Sequence, residues 1–302
     1  MLSARGQCLK RILLESVAAW TLHRASSRGA ALAFYALFSM TPILLVAIAV
    51  AGYFFGAEAA QGEIIAQIQG LVGENGAQAI QALLAAARNP ASGVMATVVA
   101  GVLLLIGTTT VFVELKESLD DMWGNSKKGK SALLDLLRKR LLSFSLVCVL
   151  ALLLLISLVI SAALAVLERY AAGIGGGPTQ LLSVLASLMS FLVIACLFAV
   201  IYKMLPDTPL SWRDVWIGAI FTAALFSLGK YLIGLYLGNS GVVSSFGAVG
   251  SLVALLLWIY YSAQIFYLGA EFTRQYALNF GSLCTTAVLA SRLPAHCALL
   301  RH

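Results

Sequence analysis

Charged side chains are scarce in this sequence. Asp, Glu, Lys and Arg make up 11% of its 302 residues, whereas soluble domains carry about 25%. Hydrophobic residues make up 61%, and the mean hydropathy is +0.93. A chain with so few charges cannot cover a water-facing surface. The composition therefore excludes an ordinary soluble globule and predicts an integral membrane protein.

Motifs for hydrolysis and for metal binding are also missing. The sequence has no Walker motif for ATP, no HExxH and no GxSxG, and its five cysteines form neither a CxxC nor a zinc-type group with histidine. Asp120 and Asp121 are adjacent, so on a helix they diverge by about 100° and make no ready metal site. We therefore expect no cofactor, no metal and no enzymatic activity. Residues 1–28 also lack the apolar core of a cleavable signal peptide.

Long apolar runs are what the sequence has instead. A helix of about 20 apolar residues crosses the hydrocarbon core of a bilayer, and alternating barrel-type strands are absent. The pattern predicts an all-α bundle of six transmembrane helices within a single domain, residues 1–280, followed by a cytoplasmic tail, 281–302. The predicted spans are 32–55, 94–113, 141–167, 181–204, 215–237 and 248–272.

The basic residues indicate the orientation of these spans. Seventeen Lys and Arg residues fall before the first span, in the second connection, from the end of the fourth span to the start of the fifth, and after the sixth span, whereas Arg88 and Arg169 are the two on the opposite side. Because Lys and Arg accumulate in cytoplasmic connections, both termini are predicted to lie in the cytoplasm. The same distribution explains the net charge of +7 without a nucleic-acid partner.

Helices are also predicted outside the spans. Residues 8–24 form a weakly amphipathic, interfacial helix. The first outer connection, 57–88, is predicted as two short amphipathic helices hinged at Gly73 to Gly76, with Ile65 and Leu84 on their apolar faces. The second, cytoplasmic connection carries the basic run and another amphipathic helix.

Polar residues inside the spans are the candidates for chemistry, because burying them in a membrane is expensive. Lys230 lies in the outer half of the fifth span. Its ammonium group either reaches the outer headgroups or binds an anionic group such as a lipid phosphate within the bundle. Pro42 interrupts the hydrogen bonding of the first span after Tyr35 and Ser39, as happens at transporter binding sites and in ordinary membrane helices.

The sixth span carries a polar stripe of four residues, and its cytoplasmic end is charged. Offsets of four, seven and eleven place the four on one helical face: Tyr260, Gln264, Tyr267 and Glu271. They either hydrogen-bond to neighbouring helices or line a substrate path. Glu271 shares its predicted level with Glu114 and Lys203. These three charges form either an ion-pair layer or a gate.

Several stretches, in the same order and spacing, resemble the YihY/virulence factor BrkB family of bacterial inner-membrane proteins. They are AFYALFSMTP at 33–42, ELKESLDDMW at 114–123, YKMLPD at 202–207, WRDVWIGA at 212–219, GAVGS at 247–251, LWIYYSAQ at 257–264 and LGAEFT at 268–273. One departure is Leu119-Asp120, where members usually have Leu-Asn. The resemblance implies an inner-membrane location and a role in envelope biology, and it supplies no catalytic residues.

Three functional hypotheses follow. The first is a transporter or lipid translocator without its own ATPase, with membrane lipid as its surroundings and an anionic lipid or lipopolysaccharide-type molecule as its substrate. The second is an envelope scaffold that transports nothing. The third is a ribonuclease, because the family has carried the label ribonuclease BN. We regard that label as a misattribution, since no residues that could activate water on a phosphodiester are evident.

Overall fold

All elements in the described part of the chain are helices, as predicted. The computed structural model describes residues 2–87, 110–111, 113–124, 179–206, 208, 210–239 and 250–284, and it contains no strand within them. The helices are α1 (Leu2–Leu22), α2 (Ala25–Phe55), α3 (Ala57–Ala87), α4 (Thr179–Met204), α5 (Trp212–Asn239) and α6 (Gly250–Asn279). Residues 113–122 are also helical.

Three of these helices contain segments long and apolar enough to cross a membrane: Val184–Met204, Trp212–Tyr236 and Gly250–Asn279. They coincide with the last three predicted spans, and Leu188 on α4 and Leu228 on α5 are 61% and 57% exposed. Exposed leucines along such helices suit contact with lipid. This confirms the prediction of a helical membrane protein.

The remaining predicted spans are less completely covered. The first, 32–55, lies within α2. The second, 94–113, lies almost wholly outside the described residues, as do the third, 141–167, and most of the basic connection between them. The number of six spans and the cytoplasmic position of both termini therefore stay predictions.

The first connection differs from the prediction of two hinged helices. Residues 57–87 form the single helix α3, which continues through Gly73 to Gly76. Glu74 accepts hydrogen bonds from the side-chain amides of Gln69 and Gln78, the latter at 3.1 Å. These bonds bridge the glycine segment along one side of the helix and help offset the low helix propensity of glycine.

A shared hydrophobic core also keeps α3 continuous. Ile65, before the glycine segment, and Ile80 and Leu84, after it, belong to one buried cluster with Ile48 of α2 and Leu255 of α6. Because both halves of α3 contribute to the same core, a bend at the glycines would remove one half from it. Tertiary packing thus overrides the local turn signal.

The chain divides into two compact units. The first unit comprises residues 1–23, 119–225 and 268–302, and the second comprises 24–118 and 226–267. The second contains the cluster around Ile80. In the first, the rings of Phe221 and Phe272 stack at 3.9 Å between centroids, and the hydroxyls of Tyr202 and Thr222 lie 3.2 Å apart.

Glycine permits the close helix packing in the first unit. A Cβ atom at Gly269 of α6 would lie 2.6 Å from the Tyr202 hydroxyl and closer still to that of Thr222. Small residues are typical where membrane helices approach closely. Gly234 of α5, by contrast, has nothing within 4 Å of the position of its missing Cβ.

We predict that Gly269→Ala lowers the free energy of unfolding by about 1–2 kcal/mol, because the added methyl group overpacks this contact. Gly234→Ala is the matched control, and it should be neutral or stabilising through its helix propensity. Unfolding titrations in mixed micelles measure both. Equal effects of the two substitutions would contradict the packing account.

The start of α5 is joined to the end of α6 within the first unit. The Ser211 hydroxyl accepts a hydrogen bond from the backbone N–H of Asp214 at 3.3 Å, which caps the helix. The Asp214 carboxylate is buried and accepts the backbone N–H of Ser282 at 2.8 Å. The N–H of Ser211 in turn donates to the Ser282 hydroxyl at 3.2 Å.

Candidate functional site: the polar face of α6

The predicted polar stripe lies on α6, where burial increases along the helix. Tyr260 and Gln264 are half-buried, whereas Tyr267 and Glu271 are fully buried with exposed fractions of 0%. A buried polar group in a membrane-spanning helix must find partners in the protein. The partners differ along the stripe, and they define two separate polar groups, one in each unit.

Glu271 is paired with a histidine in the first unit. Its Oε1 atom lies 2.5 Å from Nδ1 of His23. Its Oε2 atom lies 4.0 Å from Nη1 of Arg274, one helical turn farther along. Oε2 is buried and has no hydrogen-bond partner within the described ranges. We call these three residues the Glu271 cluster.

His23 lies far from Glu271 in the sequence. It precedes Glu271 by 248 positions and belongs to no motif. His23 follows the end of α1 and precedes Arg24, which adopts a left-handed conformation with φ of 51° before α2 begins. The tight turn between these helices places the imidazole against α6. The one available signal was that His23 is the only histidine outside the C-terminal tail.

A second polar group surrounds Tyr267 in the other unit. The Tyr267 hydroxyl interacts with the Ser118 side chain and lies near the charges of Glu114 and Arg28, but none of these contacts reaches full hydrogen-bond geometry in the described part of the chain. Arg28 donates to the Ser118 hydroxyl at 3.4 Å, and Ser118 donates to Glu114 at 3.5 Å. These contacts lie at the outer limit of hydrogen-bond distance, so each of them is weak.

Gln264 extends this group toward the first turn of α2. Its amide nitrogen lies 3.5 Å from the carbonyl oxygen of Ser26, while its buried Oε1 has no partner among the described residues. Gly29 permits this approach, because a Cβ there would lie 3.1 Å from Cδ of Gln264 and closer still to its nitrogen. We call Arg28, Glu114, Ser118, Gln264 and Tyr267 the Tyr267 cluster.

The structure places the remaining candidates elsewhere. Lys230 is exposed on α5. Lys203 donates to the carbonyl of Leu210, and its Nζ lies 5.7 Å from the ring centre of Trp212. Glu114 contacts Ser118. The layer of Glu114, Lys203 and Glu271 stays a prediction.

The candidates on α2 lie near its middle. Ser39 is buried, and its hydroxyl donates to the carbonyl of Tyr35 at 2.7 Å. Tyr35 is half-buried. Pro42 lies within α2, which is continuous from Ala25 to Phe55. The part that these three residues play in a substrate path stays a prediction.

Metal chemistry finds no support in the described part of the chain, where no three His, Cys, Asp or Glu side chains come close enough to hold an ion. The two polar clusters instead combine hydroxyl, amide, carboxylate, guanidinium and imidazole groups. Such groups bind protons, water and polar headgroups.

The sequence of this chain matches a known protein family. The family model described as virulence factor BrkB matches residues 16–283, a range that contains both clusters. The chain belongs to this family. No solved structure matches the chain.

Relatives of this BrkB-family protein carry general names. One is a UPF0761 membrane protein from Verminephrobacter eiseniae, 40% identical over 28% of this chain and 21% of its own length. Another, from Ralstonia nicotianae, is 26% identical over 79% of this chain and 52% of its own length. A Bacillus subtilis protein named as ribonuclease-like is 22% identical over 86% of this chain and 92% of its own. The matches to the first three UPF0761 relatives span about a fifth to a third of those proteins' lengths.

Proposed function

We propose that this BrkB-family protein is a translocator of lipid or another amphipathic envelope component in the bacterial inner membrane, with both termini in the cytoplasm and without its own ATPase. The observation that carries this proposal is the pair of buried atoms Tyr267 Oη and Gln264 Oε1, which make no well-formed hydrogen bond to any residue that the structure describes. Leaving a buried polar atom unpaired costs about 1–3 kcal/mol. A ligand or water that completes these bonds during transport gives a reason for retaining them.

The charges around Tyr267 favour a headgroup as that ligand. Arg28 supplies a guanidinium group, which binds phosphate with strong, charge-assisted hydrogen bonds. Glu114 supplies a carboxylate that can attract an ammonium group, and Ser118 lies between the two. A phosphate-bearing headgroup matches this mixture better than an apolar ligand does. An anionic lipid or a lipopolysaccharide-type molecule is therefore the proposed substrate class.

Tyr267→Phe tests this assignment at the cost of one weak contact with Ser118. We expect movement of a fluorescent anionic phospholipid across reconstituted vesicles to slow by about tenfold or more, because a hydrogen bond to a charged group contributes about 1.5–3 kcal/mol. The free energy of unfolding should change little, since the contact of the hydroxyl with Ser118 does not reach full hydrogen-bond geometry in the described part of the chain. The matched control is Tyr231→Phe on the exposed side of α5, which should retain the wild-type rate.

Lys230→Ala is a separate arm of the same assay. A slowed rate in this variant would assign the exposed ammonium group on α5 to the lipid path, and an unchanged rate would favour its contact with outer headgroups.

Movement no faster than in protein-free vesicles would contradict the translocator. The scaffold hypothesis then predicts co-purifying envelope proteins whose capture depends on residues 57–88. The ribonuclease hypothesis predicts RNA cleavage by the purified protein with a divalent metal.

A further inference from the structure

The Glu271 cluster is not needed to bind a headgroup, and its geometry suits a smaller ligand. We propose that His23 and Glu271 form a proton-binding site, and that protonation of this pair drives the translocation proposed above. The second part of this inference rests on the proposed function, whereas proton binding itself does not. Three observations support the proposal: the distance within the pair, the difference in exposure of its members, and the charges around it.

The distance is short enough for one proton to be shared. Nδ1 of His23 and Oε1 of Glu271 lie 2.5 Å apart, which places them in direct hydrogen-bonding contact. In the state with fewer protons, His23 is a neutral imidazole and Glu271 is a carboxylate, and the imidazole donates its Nδ1–H to the carboxylate. With one more proton, either an imidazolium faces a carboxylate or a neutral imidazole accepts a hydrogen bond from a carboxylic acid.

The two members differ in their access to the surroundings. The side chain of Glu271 is fully buried, whereas that of His23 is 21% exposed. A proton can therefore reach the carboxylate through the imidazole. Water gives a proton to Nε2 of His23, and the proton on Nδ1 passes to Oε1 of Glu271. Both residues end neutral, and the reverse sequence returns the proton to water.

The charges around the carboxylate allow both protonation states. Among the described residues, the charged groups that act on Glu271 are His23, from the turn between α1 and α2, and Arg274, from α6 itself. The guanidinium of Arg274 offsets the carboxylate charge when the imidazole is neutral, but at 4.0 Å from Oε2 it is too distant for a hydrogen bond. Oε2 makes no hydrogen bond to a described residue, so no such bond has to break when the carboxyl group gains or loses a proton.

A change in protonation also changes the contact between the α1–α2 turn, which carries His23, and α6, which carries Glu271. His23 is followed at once by Arg24 in its left-handed conformation, so the histidine is anchored to α6 where the backbone turns sharply from α1 into α2. Conversion between a charged and a neutral pair alters the strength of this anchor. Proton loading thereby acts on the start of α2, the helix that also carries Arg28 of the Tyr267 cluster.

Infrared difference spectroscopy of the purified full-length protein tests proton binding directly. Titration with acid should produce the C=O band of a protonated carboxyl group that is absent from Glu271→Gln and retained in Glu117→Gln, an exposed carboxylate control on residues 113–122. In His23→Gln the midpoint of that band's titration should move by about one pH unit or more, since a nearby charge shifts a carboxyl group by that amount. If Glu271→Gln does not fold, the shift of the titration midpoint in His23→Gln tests the proposal by itself. A band that is identical in wild type and both cluster variants would overturn the proposal.

Lipid movement under a proton gradient tests the coupling. The full chain is reconstituted in vesicles of phosphatidylethanolamine and phosphatidylglycerol, and movement is compared with and without a pH difference. Wild type should respond by about fivefold or more, a usual size for coupling between sites, and His23→Gln should retain movement without the response. If the carboxyl band titrates but no lipid moves, the proton-binding site is supported and the translocator proposal is rejected. Lipid movement that ignores the gradient in wild type would overturn the coupling.

Discussion

His23→Leu is expected to lower the free energy of unfolding by about 3 kcal/mol, because a buried acceptor that loses its hydrogen-bonding partner costs about 1–3 kcal/mol and a charged one costs more. The carboxylate of Glu271 is fully buried, and His23 is its hydrogen-bonding partner in the described part of the chain. Without the imidazole, Arg274 at 4.0 Å is the one cation left within ion-pair distance among the described residues. Unfolding titrations in mixed micelles measure the loss.

A double-mutant cycle separates this loss from poor packing by leucine. The double variant His23→Leu with Glu271→Gln lacks the buried charge, so it should be more stable than His23→Leu alone. Arg11→Leu is the control for breaking an ion pair on the surface. Arg11 and Glu15 lie 2.7 Å apart, one turn apart on α1, with side chains 71% and 36% exposed, and their loss should cost about 0.3–0.5 kcal/mol. Additive effects of the two cluster substitutions would reject the pairing.

The helical membrane architecture could be read from the sequence because it depends on composition and on run length. Scarce charge and apolar runs predicted α4, α5 and α6 with ends within a few residues of those observed, except that α6 extends to Asn279. The last two turns of α6 contain Arg274 and Gln275, which lie beyond the apolar run from which the span 248–272 was predicted. The helix continues there because Phe272 and Ala277 remain buried, so packing within the protein replaces contact with lipid.

The continuity of α3 could not be predicted in this way. A Gly-Glu-Asn-Gly segment is a strong local turn signal, and the contacts that overrule it come from α2 and α6. Leu255 of α6 packs in the same buried cluster as Ile65 and Ile80, although nearly two hundred residues separate them in the sequence. Local propensity is a weak prior when both halves of a segment join one core.

The sequence predicted the residues of the candidate site that lie on α6, but it did not predict their partners. Helical periodicity placed Gln264, Tyr267 and Glu271 on one face of α6, and the cost of burying such groups in a membrane made them candidates either for hydrogen bonds to neighbouring helices or for a substrate path. Periodicity within one helix says nothing about which distant residues face it. The partners His23 and Ser26 come from the turn between α1 and α2 and from the first turn of α2, and their selection required the tertiary structure.

Asp214→Ala is expected to lower the free energy of unfolding by about 2–4 kcal/mol. The substitution removes a carboxylate from the first turn of α5, where a negative charge stabilises a helix by about 0.3–1 kcal/mol. It also removes the acceptor for the Ser282 N–H at 2.8 Å, and a hydrogen bond to a charged group contributes about 1.5–3 kcal/mol. The same unfolding titrations provide the measurement.

Two comparisons assign this loss to the contact between the start of α5 and the end of α6. Glu58→Ala removes an acidic residue from the first turn of α3, where the side chain is exposed, so it should cost only the helix-terminus contribution of about 0.3–1 kcal/mol. Asp214→Asn retains an acceptor oxygen for the Ser282 N–H and should recover part of the loss. If Asp214→Ala costs no more than Glu58→Ala, the carboxylate acts through the helix dipole alone. The end of α6, and with it the helix that carries both polar clusters, would then be held by packing rather than by Asp214.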